Sequence, residues 1–249
     1  MNKIDVLDHG YVRLASYTQP VPADVSQANR MDPPRWTGDL EIVRNARTSY
    51  NADWRGNGPQ EGDGINKDAK LIHYLWKNRH TTPFEAMVFT FEVQAPIFVF
   101  RQWHRHRTWS YNEVSARYTE LPDLFYVPEV KVVGIQSALN KQARDRTAHS
   151  SWAEANANMI RETSELAHTR YKQLLAQQCP REIARLVLPL NTYSRMFATV
   201  DLRNLFHFLE LRLDAHAQYE IRVYAEALLN LVQPICPIAV DAFKANLKA

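Results

Sequence analysis

The sequence predicts an α+β fold: one domain over residues 1–249, with a central, mostly antiparallel sheet flanked by helices and a helical C-terminal half. Three observations carry this. Apolar and polar residues alternate in "KIDVLDHGYVRLASY" and "MVFTFEV". No glycine occurs after Gly134, and leucines there recur at helical spacing. Finally, no repeat, low-complexity tract or clean linker divides the chain.

In chain order, the first fifteen or so residues read as one or two strands. Pro20, Pro22, Pro33 and Pro34 mark a loop. "DLEIVRNARTSY" and "DAKLIHYLWKNRH" read as helices separated by the polar, glycine-rich "WRGNGPQEGDGIN". "TTPFE" carries a capping signal, with Thr82 as N-cap, Pro83 first in the helix and Glu85 three residues after the cap. The strand "MVFTFEV" follows, then a short helix in "PIFVFRQWHRH" opened by Pro96, and a second strand near "LFYVPEV". Beyond these, Met159, Leu166, Tyr171 and Leu174 define one helix, and Leu202, Leu205, Leu209 and Leu213 another. "NTYSRMFATV" between them has strand character.

Composition narrows function. The two cysteines, Cys179 and Cys236, lie far apart without metal spacing, which fits a reducing compartment and a cytoplasmic protein. The opening "MNKIDVLDHG" lacks a signal-peptide core, and no apolar run reaches membrane-spanning length, so no membrane partner is expected. Neither GxGxxG nor GxxxxGK[ST] occurs, so phosphate must be held by side chains.

"RHRTWSYNEVSAR" supplies such side chains. Of 30 basic and 27 acidic residues, four arginines (Arg101, Arg105, Arg107, Arg117) and one acid, Glu113, fall between 101 and 117, leaving 26 of each elsewhere. One compact block favours a small multivalent anion over a polynucleotide, which draws on a face or a tail. Trp103, Trp109, Tyr111 and Tyr118 beside the arginines suit stacking on a flat ring. Composition alone leaves ligand site and salt-bridged surface both open.

Further along, Arg203, His207, Glu210 and Asp214 form one helical stripe, equally readable as a solvated face. Arg212 differs, lying about 20° from Leu205 on the edge of the apolar face, where a guanidinium needs an anionic or acceptor partner. His216 and Glu220 are four apart, but without further ligands they predict no metal. Arg181 and Arg185 share one face of a helix opened by Pro180.

The stretch from Arg105-His106-Arg107 through seven residues to Ser115 resembles the signature of the flavin-dependent thymidylate synthases. "HTTPFE", "APIFVFRQW", "PREIARLVLPLN" and "LRLDAHAQYEI" resemble further blocks of that family, in its order, across residues 80 to 221. The resemblance implies an FAD-dependent methyltransferase that converts dUMP to dTMP. Its carbon donor is 5,10-methylenetetrahydrofolate, and its FAD is reduced by NADPH. It also implies a homotetramer with sites shared between subunits. Carried over, dUMP meets Gln102, Trp103, His104, Arg105, Glu113, Val114, Ser115, Ala116, Arg117, Arg185 and Arg212. Ser115, Arg117 and Arg185 hold its phosphate, and Arg212 acts catalytically at the pyrimidine edge, favouring the ionised ring. FAD meets His80, Thr82, Arg105, His106, Arg107, Thr108, Glu113, Asp201, Leu202, Arg203 and His207. Ala86 departs from the histidine many members carry after "TPFE", and His207, against asparagine in related sequences, adds a titratable group. Segments 21–37 and 51–66 exceed the family minimum. The rival class is a non-catalytic nucleotide- or RNA-binding module using the same arginines.

Overall fold

A computed structural model describes residues 2–19, 37–49, 63–145 and 149–247. The elements run β1 (Lys3–Val6), β2 (Gly10–Tyr17), α1 (Thr37–Thr48), α2 (Asp63–Lys77), β3 (Val88–Pro96), α3 (Ile97–Trp103) and β4 (Ser110–Glu113). A short α4 (Val130–Val133) and the paired β5 (Ile135–Gln136) and β6 (Arg144–Asp145) lead into the long α5 (Ser150–Ala176). The chain continues through α6 (Arg181–Ala184), β7 (Tyr193–Asp201), α7 (Leu202–Arg212), α8 (Tyr219–Val232) and α9 (Pro237–Ala245). The main sheet has the order β1-β2-β3-β7-β4, antiparallel throughout. The predicted α+β class holds.

Alternation decides which face of the sheet is covered. Phe89, Phe91 and Val93 of β3, and Met196, Ala198 and Val200 of β7, point into the core. Leu202, Leu205, Phe206 and Leu209 of α7 share that core with α8 and α9. Each such side chain larger than alanine contributes roughly 1.5–3 kcal/mol. An aromatic cluster ties α2, α7 and α9 together: Trp76 meets Phe206 at 5.0 Å, and Phe206 stacks on Phe243 at 4.5 Å. Two aspartates secure helix starts. Asp201 accepts the Asn204 N–H at 2.9 Å and caps α7. Asp39 of α1 accepts the N–H groups of Ile238 and Ala239, both at 2.9 Å, while burial pushes its carboxyl up to about 7. On the opposite face of the sheet, Glu92 is buried beneath Arg13, Arg195 and Tyr11, which all bond to it.

Several sequence expectations need correction. "LFYVPEV" is no strand: only Phe125 bridges to Thr192, and Pro128 stops further pairing. The turn at 82–86 is a 3-10 helix capped one residue earlier, by Thr81, because the Phe84 N–H closes onto the Thr81 carbonyl at 3.0 Å. Neither threonine's side chain takes the capping bond expected of Thr82. On α5, Met159 and Leu166 are 66% and 57% exposed, so they are not core. The buried stripe there is Ala153, Ala157, Ser164, His168 and Tyr171, small and polar groups that let the helix lie close to the body. Most of segments 21–37 and 51–66 lies outside the described residues. No described helix is long and apolar enough to cross a membrane.

Candidate active site

The turn after α3 is built by aromatic anchors. Trp103 is fully buried against Phe208 (4.9 Å), Trp109 (5.7 Å) and Tyr224 (6.1 Å). The Tyr111 hydroxyl donates to the carbonyls of Trp103 (3.2 Å) and His106 (2.8 Å), pinning the turn from β4. Arg105 and Arg107 therefore project outward while the indoles point in. The expectation that Trp103 and Trp109 stack on a ligand ring is thus corrected, since both belong to the core. Of the four aromatics, Tyr118 is the exposed one, at 82%. The indole N–H groups of Trp103 and Trp109 and Nε2 of His104 are buried without a partner among the described residues.

Beyond β4 lies a cleft of about 390 Å³, lined by Glu113, Val114, Ser115, Ala116, Arg185, Leu188, Pro189 and Leu190 among others. Arg185 arrives there because Pro180 opens α6 and the buried Ala184 anchors its end. Among the described residues Arg101, Arg105, Arg107 and Arg185 make no ion pair, whereas Arg117 reaches Glu182 at 3.3 Å. The Ser115 hydroxyl accepts the Arg117 backbone N–H at 3.3 Å. No described imidazole or carboxylate bonds to that hydroxyl, so among the described residues Ser115 has no base to activate it.

Arg212, at the end of α7, finds a neutral acceptor. Its Nε donates to His106 Nε2 at 3.1 Å and its Nη2 to the Gln102 carbonyl at 3.4 Å. Burial, then Arg212 and His207, lowers the His106 pKa to about 4, so the ring is neutral near pH 7 with its proton on Nδ1. Gln102 in turn bonds to Gln218, and Gln218 to Glu220 at 2.9 Å. Tyr126 (3.1 Å) and Arg144 (2.8 Å) complete the surroundings of the buried Glu220. Glu220 is therefore a structural carboxylate, and no group able to hold a metal occurs among the described residues.

Before β4 lies a second cleft, of about 430 Å³, lined by Trp76, Arg79, Thr81, Thr108, Arg203, Asn204, His207 and Glu210. Arg203 is held at 2.6 Å by Glu85. Two guanidiniums, two threonines and an imidazole share this concave surface with one carboxylate, Glu210.

Residues 35–238 match the family described as "Thymidylate synthase complementing protein". The chain is 41% identical over 244 residues to the flavin-dependent thymidylate synthase of Treponema denticola, covering 98% of this chain and 82% of that one. It is 42% identical to that of Thermus thermophilus, covering 98% and 79%. This chain belongs to the flavin-dependent thymidylate synthase family. Among solved structures it is similar to the UMP/dUMP methylase PolB of Streptomyces cacaoi bound with 5-Br dUMP. The TM-score is 0.78 at 32% identity, with 97% of each chain covered. The same methylase bound with 5-Br UMP gives 0.77.

Seen as a flavin-dependent thymidylate synthase, the chain distributes its expected site residues unevenly. Glu113, Val114, Ser115, Ala116 and Arg185 share the first cleft, with Arg117 adjoining it. Thr108, Arg203 and His207 share the second. Gln102, His106 and Arg212 form one hydrogen-bonded cluster. His80 and Thr82 are exposed beside the second cleft, which Thr81 itself lines. The side chains of Trp103 and Leu202 are buried, leaving backbone as what these two offer a ligand, whereas the Asp201 oxygens each accept one bond from Asn204 and keep further lone pairs. Sequence reasoning missed Arg79, Thr81 and Gln218. Arg79 adjoins the "HTTPFE" block but carries no motif of its own; its left-handed backbone (φ 61) sends the chain from α2 along the cleft.

Proposed function

We propose that this protein methylates dUMP to dTMP, with 5,10-methylenetetrahydrofolate as carbon donor and FAD, reduced by NADPH, as cofactor. The observation that carries this is the first cleft, where the Glu113–Ala116 run meets Arg185 although some 70 residues separate them in sequence. An arginine without an ion pair beside a serine hydroxyl suits a monophosphate, and Arg117 stands within reach once Glu182 releases it. Ser115 orients the nucleotide and does not attack it. Arg212, fixed at two donors, keeps others free for the pyrimidine edge and stabilises negative charge developing on the ring. Arg212→Ala therefore lowers turnover at saturating dUMP more than it raises KM.

His80, Thr82, Arg105, Arg107, Thr108, Glu113, Asp201, Arg203 and His207, with backbone at Leu202, are the residues that would hold FAD, and the buried His106 has only its Nδ1–H left to offer it. When bound, FAD supplies the hydride that completes the methyl group. The reading includes a homotetramer, which is supported by Arg185 and the second cleft both being open within one chain. Trp152 (47%), Met159, Leu166 and Leu186 (73%) leave apolar surface that further subunits would cover. Free Cys179 and Cys236 fit a cytoplasmic location.

The test uses the purified protein, dUMP, NADPH and methylenetetrahydrofolate carrying carbon-13 in its methylene group. Yellow tetrameric protein and labelled thymidylate are expected. A colourless protein that binds no added FAD and makes no thymidylate would favour a nucleotide- or RNA-binding module. UMP is run in parallel, since the similar methylase was solved with analogues of both nucleotides.

A further inference from the structure

His106 sits inside an Arg-His-Arg run, yet its ring faces away from solvent and is packed against Phe208 with centroids 4.7 Å apart. Its backbone is fixed at both ends: the N–H bonds to the Trp103 carbonyl at 2.9 Å, and the carbonyl accepts from Tyr111. The ring's one available lone pair, on Nε2, therefore has a set position, and Arg212 Nε–H occupies it. With Nη2 also held by the Gln102 carbonyl, the plane of the guanidinium is defined by two acceptors on the turn after α3. We propose that His106 is a positioning residue, whose Nε2 orients the Arg212 guanidinium toward the pyrimidine.

A neutral acceptor suits this task better than a carboxylate. An aspartate or glutamate in the same place would hold Arg212 as firmly but cancel the charge it presents to the ring. Among the described residues Arg212 makes no ion pair, so its charge remains uncompensated. The charged or titratable groups facing the imidazole are Arg212 and His207 from α7, and both disfavour a second proton on it. From β4 the group in contact is the Tyr111 hydroxyl, on the His106 carbonyl. Protonation would remove the acceptor and set two cations against each other, so the device works only with a neutral ring.

The proposal rests on the placement of Arg212 at the pyrimidine, and the experiment separates the two. 5-Fluoro-dUMP is bound to the FAD-loaded enzyme without folate, and the fluorine NMR signal is titrated to find the midpoint of ring ionisation. Arg212→Ala should raise that midpoint by about one pH unit or more. His106→Ala and His106→Asn, whose amide is too short, should move it at least halfway there. His106→Gln places an amide oxygen near the Nε2 position and should recover most of the shift. Turnover per bound FAD should follow the same order, falling about tenfold in the Ala and Asn variants with the dUMP KM within about threefold. If Arg212→Ala shifts the midpoint while His106→Ala leaves it at the wild-type value, the positioning role is overturned. If Arg212→Ala itself leaves the midpoint in place, the placement of Arg212 at the ring fails and the proposal falls with it. Should His106→Ala not fold, the contrast between Gln and Asn decides alone: equal behaviour overturns the role.

Discussion

Arg185 and Arg117 stand beside the same cleft, but only one of them is free to bind phosphate at no cost. Arg185 makes no ion pair among the described residues, so Arg185→Ala removes a charge-assisted hydrogen bond worth roughly 1.5–3 kcal/mol. The dUMP affinity should drop about 10- to 100-fold. Arg117 must first leave Glu182, with which it pairs at 3.3 Å; the two side chains are 57% and 53% exposed. An exposed pair of this kind contributes up to about 1 kcal/mol. Arg117→Ala should therefore weaken dUMP less than Arg185→Ala does, by up to a factor of about five. Glu182→Gln should tighten dUMP by the same factor, and should do nothing in the Arg117→Ala background. Isothermal titration with dUMP and with deoxyuridine measures all of this. The phosphate role predicts losses for the nucleotide and little change for the nucleoside. Equal losses for both ligands, or tightening by Glu182→Gln that persists without Arg117, would refute it.

Ser115→Ala should retain measurable thymidylate formation with weaker dUMP binding, and mass spectrometry of quenched reactions should find no nucleotide on Ser115. Complete loss of turnover with dUMP affinity and FAD content intact would show a chemical role. Glu220→Ala strands the Arg144 guanidinium and the Tyr126 hydroxyl, a loss of roughly 3–5 kcal/mol. Calorimetry should show Tm lower by about 10 °C, and a change under about 2 °C would contradict the network. His106 and His168 are both held below the ordinary imidazole pKa of 6.5 by burial, His106 at about 4. Between those values the unfolded chain binds protons that the folded chain refuses, so these groups make stability fall as pH drops from about 6.5 toward 4. Asp39, pushed up to about 7, contributes the opposite slope. Thermal denaturation between pH 5 and 7 should therefore be less pH-dependent on the acid side in His168→Gln than in the wild type. An unchanged profile would remove His168 from the account.

Local pattern makes much of this protein legible in its sequence. Alternation in "MVFTFEV" and the leucine spacing from Leu202 give β3 and α7, because burial on one face imposes those periods on the residues themselves. The compact arginine block is likewise legible, since charge density is a property of sequence, while composition alone leaves a ligand site and a salt-bridged surface both open. Partners across the fold are a different matter. That β7 inserts between β3 and β4, carrying α7 and Arg212 to the arginine turn, depends on pairing between segments about a hundred residues apart, which neither segment records alone. The same limit explains Trp103 and Trp109, whose types suit a ligand ring and a core equally, and Met159 and Leu166, whose spacing shows a helix but not which side is covered. It also explains why the sequence shows of His106 only its place between two arginines. Only the packing of α7 against the turn makes it a neutral ring whose lone pair faces Arg212.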